Sequence, residues 1–470
     1  MILNVGLGER AYDIVIERGC LAKASALCNL DRKVLVVTDS GVPLEYAHAV
    51  ADQCAEAHLA IVAQGEQSKS LEVFGRLLQT MIEAQFTRGD CVVAVGGGIV
   101  GDLAGFVAAS YMRGVDFYNI PTTVLAQVDS SIGGKTAINL GGYKNMVGAF
   151  YQPRKVLIDL DVLHTLPRRQ IANGLAEAVK MALTSDAQLF GLFEEAAAAG
   201  GFTADAGAGA TGAASTTGEG AGATNATGTS ASAGAMGAAG AAHIGAGAGA
   251  TGAANALDGT ADDATNPNAS NAASRTDAVY AALEPHLETI IERSLRVKKH
   301  VVEQDEREAG LRKILNFGHT IGHGVESYEQ ALYGEPNADA SASTGNVAFA
   351  ADACAAPAFA ADASASDTTF APTDGREQGL YHGECVALGM IPLCTAPVRA
   401  RLVPVLRALG LPTTRAFDAA AVTQAIKHDK KSSQSGVTII TVPEIGTYTT
   451  EQTTAEALGK LLPLIQKKKV

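Results

Sequence analysis

The chain has 470 residues, 47% of them hydrophobic and 18% charged, with a formal net charge of −13. Six acids against one base in residues 200–277, and seven acids against one base in residues 335–378, hold −11 of that charge. The remainder is near neutral, with no basic face of the kind nucleic acid requires. The length suggests two or three domains, and no charge-free run of about 18 large apolar residues marks a membrane span.

The amino terminus, MILNVGLGERAYDIVI, reads as a strand, without the basic region and long apolar stretch of a secretory leader. Lys33 to Thr38 (KVLVVT), Cys91 to Val95 (CVVAV) and Val115 to Ile120 are short apolar, β-branched runs, as buried parallel strands should be. Between them, Ser70 to Gln85 puts Leu71, Phe74, Leu77, Leu78, Met81 and Ile82 on one helical face. This alternation predicts an α/β fold, a parallel sheet covered by helices. From Arg168 onward the pattern is mostly helical, over Gln170 to Leu183, Tyr280 to Gln304, Ile314 to Glu329 and Gly383 to Met390. A boundary near Leu166 therefore separates residues 1–166 from 167–470. The second part is interrupted at 200–277 and 335–378 by segments dominated by Ala, Gly, Ser, Thr, Asn and Asp. Such compositions cannot offset an ordering entropy of ~1–2 kcal/mol per residue, and disordered surface insertions are expected. Seven cysteines form no CxxC pair, which suits reduced thiols in the cytoplasm better than a disulfide framework.

Several motifs carry candidate chemistry. GGGIVGD, Gly96 to Asp102, follows the CVVAV strand and opens a helix pattern. Its glycines let backbone amides approach a phosphate at a helix start; the alternative is a plain tight turn. It is not a GxGxxG fingerprint, so a standard dinucleotide fold does not follow. Asp39 closes the KVLVVTD strand, to bind a ribose hydroxyl pair or to cap a helix. Pro121 to Pro153 sets Asp129, Lys135, Lys144 and Asn145 in glycine-rich backbone suited to an anionic ligand. Glu177 and Lys180, three apart in GLAEAVK, share a helix face, as do His319 and His323, four apart in GHTIGH; His382 opens HGECVALGM. Glu plus two His with an open position is a ligand set of catalytic zinc, although paired histidines satisfied in a helical core fit the spacing too. HTIGH lacks the Glu that follows the first His of zinc proteases. Lys298, Arg312 and Asn316 precede the histidines, and Lys430 and Lys431 lie near the carboxyl end. Cations converging on a metal site imply a carboxylate or phosphate substrate. The acidic group between Glu303 and Glu308 reads as a solvated charged face.

Together, GEQSKS, GGGIVGDLAGFVAASYMRG, PTTVLAQVDSSIGGKTAINL, KNMVGAFYQP, TLPRRQIANGLAEAVK, DEREAGLRKILNFGHTIGH, HGECVALGM and DKK resemble the 3-dehydroquinate synthases, from about Val34 to Gly446. The resemblance implies an amino-terminal Rossmann-like, parallel-sheet NAD domain, a mostly helical carboxyl-terminal metal and substrate domain, and a homodimer with its active site between the domains. It makes Glu177, His319 and His382 ligands of zinc or cobalt. It places Glu66, Lys69, Gly97, Gly98, Ile99, Val100, Gly101, Asp102, Thr122, Thr123, Lys135, Lys144, Val162, Leu163, His164 and Thr165 at the NAD site. It assigns Asp129, Lys180, Lys298, Arg312, Asn316, His323 and Lys430 to a small sugar-phosphate substrate. Lys135, Asn145, Asn316, His323 and Lys430 are candidates for its phosphate, and Lys298 and Arg312 for its carboxylate. Arg113 matches an arginine that reaches the neighbouring subunit's substrate phosphate. The implied reaction converts 3-deoxy-D-arabino-heptulosonate 7-phosphate to 3-dehydroquinate and phosphate by transient oxidation, elimination, re-reduction, ring opening and aldol closure. Gln170, Tyr381 and Cys385 depart from the commonest family pattern without removing a ligand. Another sugar-phosphate cyclase, a metal-dependent polyol dehydrogenase of the same architecture, and a noncatalytic NAD-binding scaffold are the rival readings.

Overall fold

The computed structural model describes residues 1–203, 267–334, 348–349, 379–428, 432–433, 436–467. The amino-terminal half contains β1 (Ile2–Val5), β2 (Tyr12–Ile16), α1 (Ala24–Cys28), β3 (Lys33–Asp39), α2 (Leu44–Ala51), β4 (Glu56–Val62), α3 (Leu71–Glu83), β5 (Cys91–Gly96), α4 (Gly98–Ser110), β6 (Asp116–Pro121), the hairpin β7 (Lys135–Leu140) and β8 (Tyr143–Phe150), and β9 (Lys155–Ile158). The other half contains α5 (Arg168–Ser185), α6 (Ala187–Ala199), α7 (Pro267–Leu283), α8 (Leu287–Gln304), α9 (His319–Tyr333), the two-residue β10 (Ala348–Phe349), α10 (His382–Met390), α11 (Ala396–Ala408) and α12 (Ala419–His428). It closes with β11 (Ser432–Ser433), β12 (Gly436–Thr441), β13 (Thr449–Thr453) and α13 (Ala455–Gly459).

The main sheet runs β1-β2-β9-β6-β5-β3-β4-β10. Its six inner strands are parallel, and β1 and β10 pair antiparallel at the two edges. Strands β3 and β5 are apolar almost throughout because both faces are covered. Leu35, Val37, Val92 and Ala94 pack under α3 and α4, with Phe74, Leu77, Met81 and Leu103. Val34, Val36, Val93 and Val95 face the other way, into a core continuous with Leu175, Val179 and Leu295 of the helical half. Leu71 and Ile82, expected on the buried face of α3, are exposed, because only the Val73–Phe74–Leu77–Met81 stripe meets the sheet. The chain passes from β3 outward to β4, then returns through α3 to β5 on the other side of β3. The carboxyl ends of β3 and β5 thus flank a topological switch point, where open α/β sheets bind ligands.

Two expected helices are shorter than their apolar pattern. Tyr280 to Gln304 divides at a 3₁₀ turn, Glu284–His286, because Pro285 cannot continue the backbone ladder. Ile314 to Glu329 divides at Gly318, which takes φ 77° before α9 begins at His319. The expected insertion 200–277 is also shorter at its carboxyl end, since α7 starts at Pro267. There Arg275 donates to Gly200 O at 2.9 Å and stacks over Phe202. Residues 204–266 of that insertion, and nearly all of 335–378, lie outside the described residues. No helix among the described residues is long and apolar enough to cross a membrane.

Candidate active site cleft

A cleft of about 1500 Å³ opens at the switch point and is lined from both halves of the chain. On the sheet side, Asp39, Glu66, Lys69, Gly97, Gly98, Ile99, Asp102, Thr122 and Thr123 form its wall. The first turn of α4 has no side-chain cap, so its free amides and the positive end of its dipole face the opening. A Cβ on Gly98 would lie 2.8 Å from Ser130 Oγ, which explains the glycine. Asp39 is buried and accepts from Gly41 N at 2.8 Å; burial raises its pKa. Lys69 donates to Asp102 Oδ2 at 2.6 Å and sits 3.7 Å from Glu66. Burial disfavours its charge, but these two carboxylates more than offset that and raise its pKa.

Four residues expected at the cofactor site are not in the cleft wall. Val100 is fully buried against Gly96, and Gly101 packs against Asn119 inside the fold. Leu163 belongs to the core, whereas His164 points outward towards Asp161. Val162 and Thr165, their neighbours, do line the cleft. The short 3₁₀ helix Leu160–Thr165 thus buries Leu163 and shows Val162 and Thr165 to the cleft.

The floor is a cluster of buried charges. Asp129 lies in a π-helical turn, Ala126–Ser130, a geometry frequent at functional sites. Its carboxylate accepts from Lys298 and lies 3.3 Å from Lys180 Nζ, while Lys180 also pairs with Glu177. Burial opposes ionisation of Asp129, but the two ammonium groups hold it well below the usual carboxylate range. Burial pushes Lys298 down to about 8, aided by the Arg312 charge and opposed by Asp129. Arg312, 2% exposed, donates to Gly133 O at 3.0 Å and to Glu306 O.

Above this floor three imidazoles meet. Ring centroids are 5.2 Å apart for His319 and His382, 5.3 Å for His319 and His323, and 5.7 Å for His323 and His382. Close helix packing brings them together: a Cβ on Gly389 of α10 would fall 2.0 Å from Gly318 O, and one on Gly322 of α9 3.0 Å from Cys385 O. The start of α10 is tied to α5, because Arg169 clamps both Glu384 oxygens at 2.7 Å and Gly383 N donates to Asn173 Oδ1 at 2.6 Å. Glu177 of α5, 1% exposed, completes the group. Its Oε2 pairs with Lys180, whereas its Oε1, 3.6 Å from His382 Nε2 and 3.9 Å from His319 Nε2, has no hydrogen-bond donor among the described residues. On the far side of the rings, His319 Nδ1 meets Phe317 O at 3.0 Å and His382 Nδ1 meets Glu326 Oε2 at 3.1 Å. A buried carboxylate oxygen without a donor, facing two imidazole nitrogens whose opposite nitrogens are engaged, fits a divalent cation. Burial opposes ionisation of Glu326, but His382 beside it holds its carboxyl well below the usual range.

Several residues expected at the substrate or cofactor line the cleft and already have partners within it. His323, expected at the substrate phosphate, joins the imidazole group: its nitrogen and those of His319 and His382 lie within 4.8 Å of one another. Lys144, expected at the cofactor, lies 3.2 Å from Glu326 on the imidazole side. Asn145, expected at the phosphate, accepts from Lys69 on the cofactor side. These neighbours thus reach different partners across the cleft, Asn145 taking φ 55° within the hairpin. Lys135 and Asn316 meet through Glu308, which pairs with the first and accepts from the second at 2.8 Å. Glu303 to Glu308 is therefore no plain solvated face: Glu308 lines the cleft, and Glu306 accepts from Arg10 at 2.7 Å and Gln152 at 2.9 Å. Arg113 is exposed, with φ 69°, and is not in the cleft wall. Gln170 lines the cleft near Asn173. Lys430 lies outside the described residues.

Comparison with known proteins agrees with this architecture. The sequence matches the 3-dehydroquinate synthase N-terminal family over residues 59–173 and the 3-dehydroquinate synthase C-terminal family over residues 261–339. It is 30% identical to the 3-dehydroquinate synthase of Streptococcus sanguinis (strain SK36), across 98% of this chain and 99% of that protein. The identity to the enzyme of that name from Caulobacter vibrioides is 32%, across 94% and 92%. Among solved structures, 2-deoxy-scyllo-inosose synthase complexed with carbaglucose-6-phosphate, NAD+ and Co2+ superposes with a TM-score of 0.64 at 20% identity, covering 98% of this chain and 99% of that one. A 2-epi-5-epi-valiolone synthase from Streptomyces hygroscopicus subsp. jinggangensis 5008, with NAD+ and Zn2+ bound, gives 0.64 at 21% identity, covering 97% and 96%. These two likenesses establish the fold.

Proposed function

The chain belongs to the 3-dehydroquinate synthase family, and from that premise we propose that its cleft converts 3-deoxy-D-arabino-heptulosonate 7-phosphate to 3-dehydroquinate and phosphate. The observation that carries the reading is the meeting of Glu177, His319 and His382 in the cleft that the uncapped amino terminus of α4 also lines. Residues 1–166 hold NAD, through the first turn of α4, Thr122, Thr123, Glu66, Lys69 and Asp39. Residues 167–470 hold the divalent cation, zinc or cobalt, through Glu177, His319 and His382. When bound, NAD supplies a reversible hydride acceptor and the cation polarises the alcohol undergoing oxidation.

The chain's own residues bind and orient the substrate. Lys298 and Arg312, buried in the floor, bind the carboxylate as charge-assisted donors. Lys135, Asn316 and His323, with Lys430, hold the phosphate, and Glu308 is displaced from Lys135 as it enters. Asp129 fixes the ammonium groups of Lys180 and Lys298, so these cations need no water shell.

Phosphate release is the test. Purified protein given NAD, a divalent cation and the heptulosonate phosphate is expected to release phosphate with no net NADH. Steady NADH accumulation would instead favour a polyol dehydrogenase. The same reading makes the enzyme a cytoplasmic homodimer, with Arg113 of each subunit serving the other's phosphate. Mixing Arg113→Ala protein with His319→Ala protein is then expected to restore activity in hybrid dimers, each having one intact site. No recovery on subunit exchange would refute the shared site.

A further inference from the structure

The direction of the His382 ring depends on a carboxylate that no motif marked. Glu326 lies on α9 seven residues after His319 and three after His323, hence on their face of the helix. Its Oε2 is 3.1 Å from His382 Nδ1, and its Oε1 is 3.2 Å from Lys144 Nζ and 3.3 Å from Gln330 Nε2. His382 opens α10 and its side chain is 34% exposed. The Arg169–Glu384 and Asn173–Gly383 contacts anchor its backbone, but they leave the side-chain torsions open. Glu326 makes a hydrogen bond to the ring itself, which bears on those torsions.

We propose that Glu326 is a positioning residue of the cation site: it accepts the Nδ1–H of His382, turning Nε2 towards Glu177, while Lys144 of the β7–β8 hairpin steadies its other oxygen. This inference rests on the assignment of Glu177, His319 and His382 to the cation. An anionic acceptor on Nδ1 selects the tautomer with its lone pair on Nε2 and makes that nitrogen a stronger donor to a metal. His319 reaches the same state through the neutral Phe317 carbonyl. The two imidazoles therefore differ in donor strength, His382 being the stronger. The arrangement also ties the hairpin, on the cofactor side, to a cation ligand through one carboxylate.

The test uses full-length apo-protein titrated with Co2+ in competition with a chromophoric chelator, together with the visible spectrum of the bound ion and the apo-protein's melting temperature. Glu326→Gln is expected to bind Co2+ about 10- to 100-fold more weakly, with a changed visible spectrum and an unchanged apo melting temperature. Lys144→Met, which leaves the Glu326–His382 contact in place, is expected to lose less affinity than Glu326→Gln. If Glu326→Gln does not fold, Glu326→Asp, which keeps the charge but withdraws it by one methylene, carries the same expectation. Wild-type affinity and spectrum in the folded variant, with or without a lowered melting temperature, would overturn the proposal. His382→Ala separates this from the underlying assignment. Wild-type Co2+ binding there defeats the cation site itself, whereas lost binding there beside an unaffected Glu326 variant defeats only the positioning role.

Discussion

Replacing Gly389 by alanine tests how the cation site is assembled. The added Cβ would stand 2.0 Å from Gly318 O and 2.7 Å from Gly322 N, where ordinary contact begins at 3.4 Å. Both atoms are backbone, so no side-chain rotation relieves the overlap, and α10 has to withdraw from α9 by about 1 Å or more. Helix α9 carries His319 and His323, and α10 carries His382. A metal ligand set tolerates about 0.2 Å, so the separation is expected to weaken divalent-cation binding at least about tenfold. Overpacking of this kind costs about 1–3 kcal/mol, visible as a lower unfolding midpoint of the apo-protein. Co2+ titration and chemical unfolding measure the two effects separately. Gly191→Ala is the matched control, because on α6 the new methyl meets nothing within 4 Å; it is expected to gain about 0.5–1 kcal/mol. Wild-type Co2+ affinity in folded Gly389→Ala would refute the claim that the α9–α10 contact sets the spacing of the imidazoles.

Two further outcomes concern single side chains. Because burial pushes Lys298 down to about 8, kcat/KM is expected to fall as pH rises through that value and the substrate carboxylate loses its partner. Lys298→Arg, which stays charged, should lack that limb, and a wild-type profile flat to about pH 9 would contradict the assignment. His319→Ala is expected to lose stoichiometric zinc or cobalt, measured by elemental analysis, while the apo-protein keeps its fold. Retained metal at one ion per chain would remove His319 from the ligand set.

What the sequence makes legible follows from how locally each feature is determined. Strands β3 and β5 announce themselves because burial on both faces demands unbroken apolar runs. Glycine-rich turns leading into α4 are equally local. The β7–β8 hairpin is not legible in this way, since its Gly141–Gly142 turn looks like an anion loop and Tyr143, Met146 and Phe150 are exposed. Glu177, His319 and His382 are recognisable by type and family pattern, but their meeting depends on glycine contacts between α9 and α10. Glu326 and Glu308 stay hidden because a lone acid on a helix or loop looks solvated until a histidine or lysine from elsewhere reaches it. The only local hint is the i, i+4, i+7 spacing of His319, His323 and Glu326. Side-chain direction fails for the same reason at Lys144 and Asn145, neighbours that reach different partners across the cleft.

The buried charges beneath the imidazoles set a last, quantitative expectation. Asp129 is held below its ordinary pKa by Lys180 and Lys298, so its contribution to stability is complete above the unfolded value of about 3.9 and is lost as pH falls through the folded one. Lys298 acts in the opposite sense. Its folded value of about 8 lies below the unfolded value of about 10.4, so the unfolded chain holds more protons between them and stability rises across that window. Asp129→Asn removes the anion and leaves two buried ammonium groups to share Glu177, which should cost about 3–5 kcal/mol at neutral pH. Without Asp129, the proton on Lys298 becomes still less favourable in the folded state. The window of rising stability therefore extends to lower pH, and the variant should recover part of its loss between about pH 7 and 10. Denaturant unfolding of the apo-protein across that range gives both quantities without reference to catalysis. A variant as stable as the wild type at pH 7, with the same pH slope, would mean that water reaches these charges and that the floor of the cleft is open rather than dry.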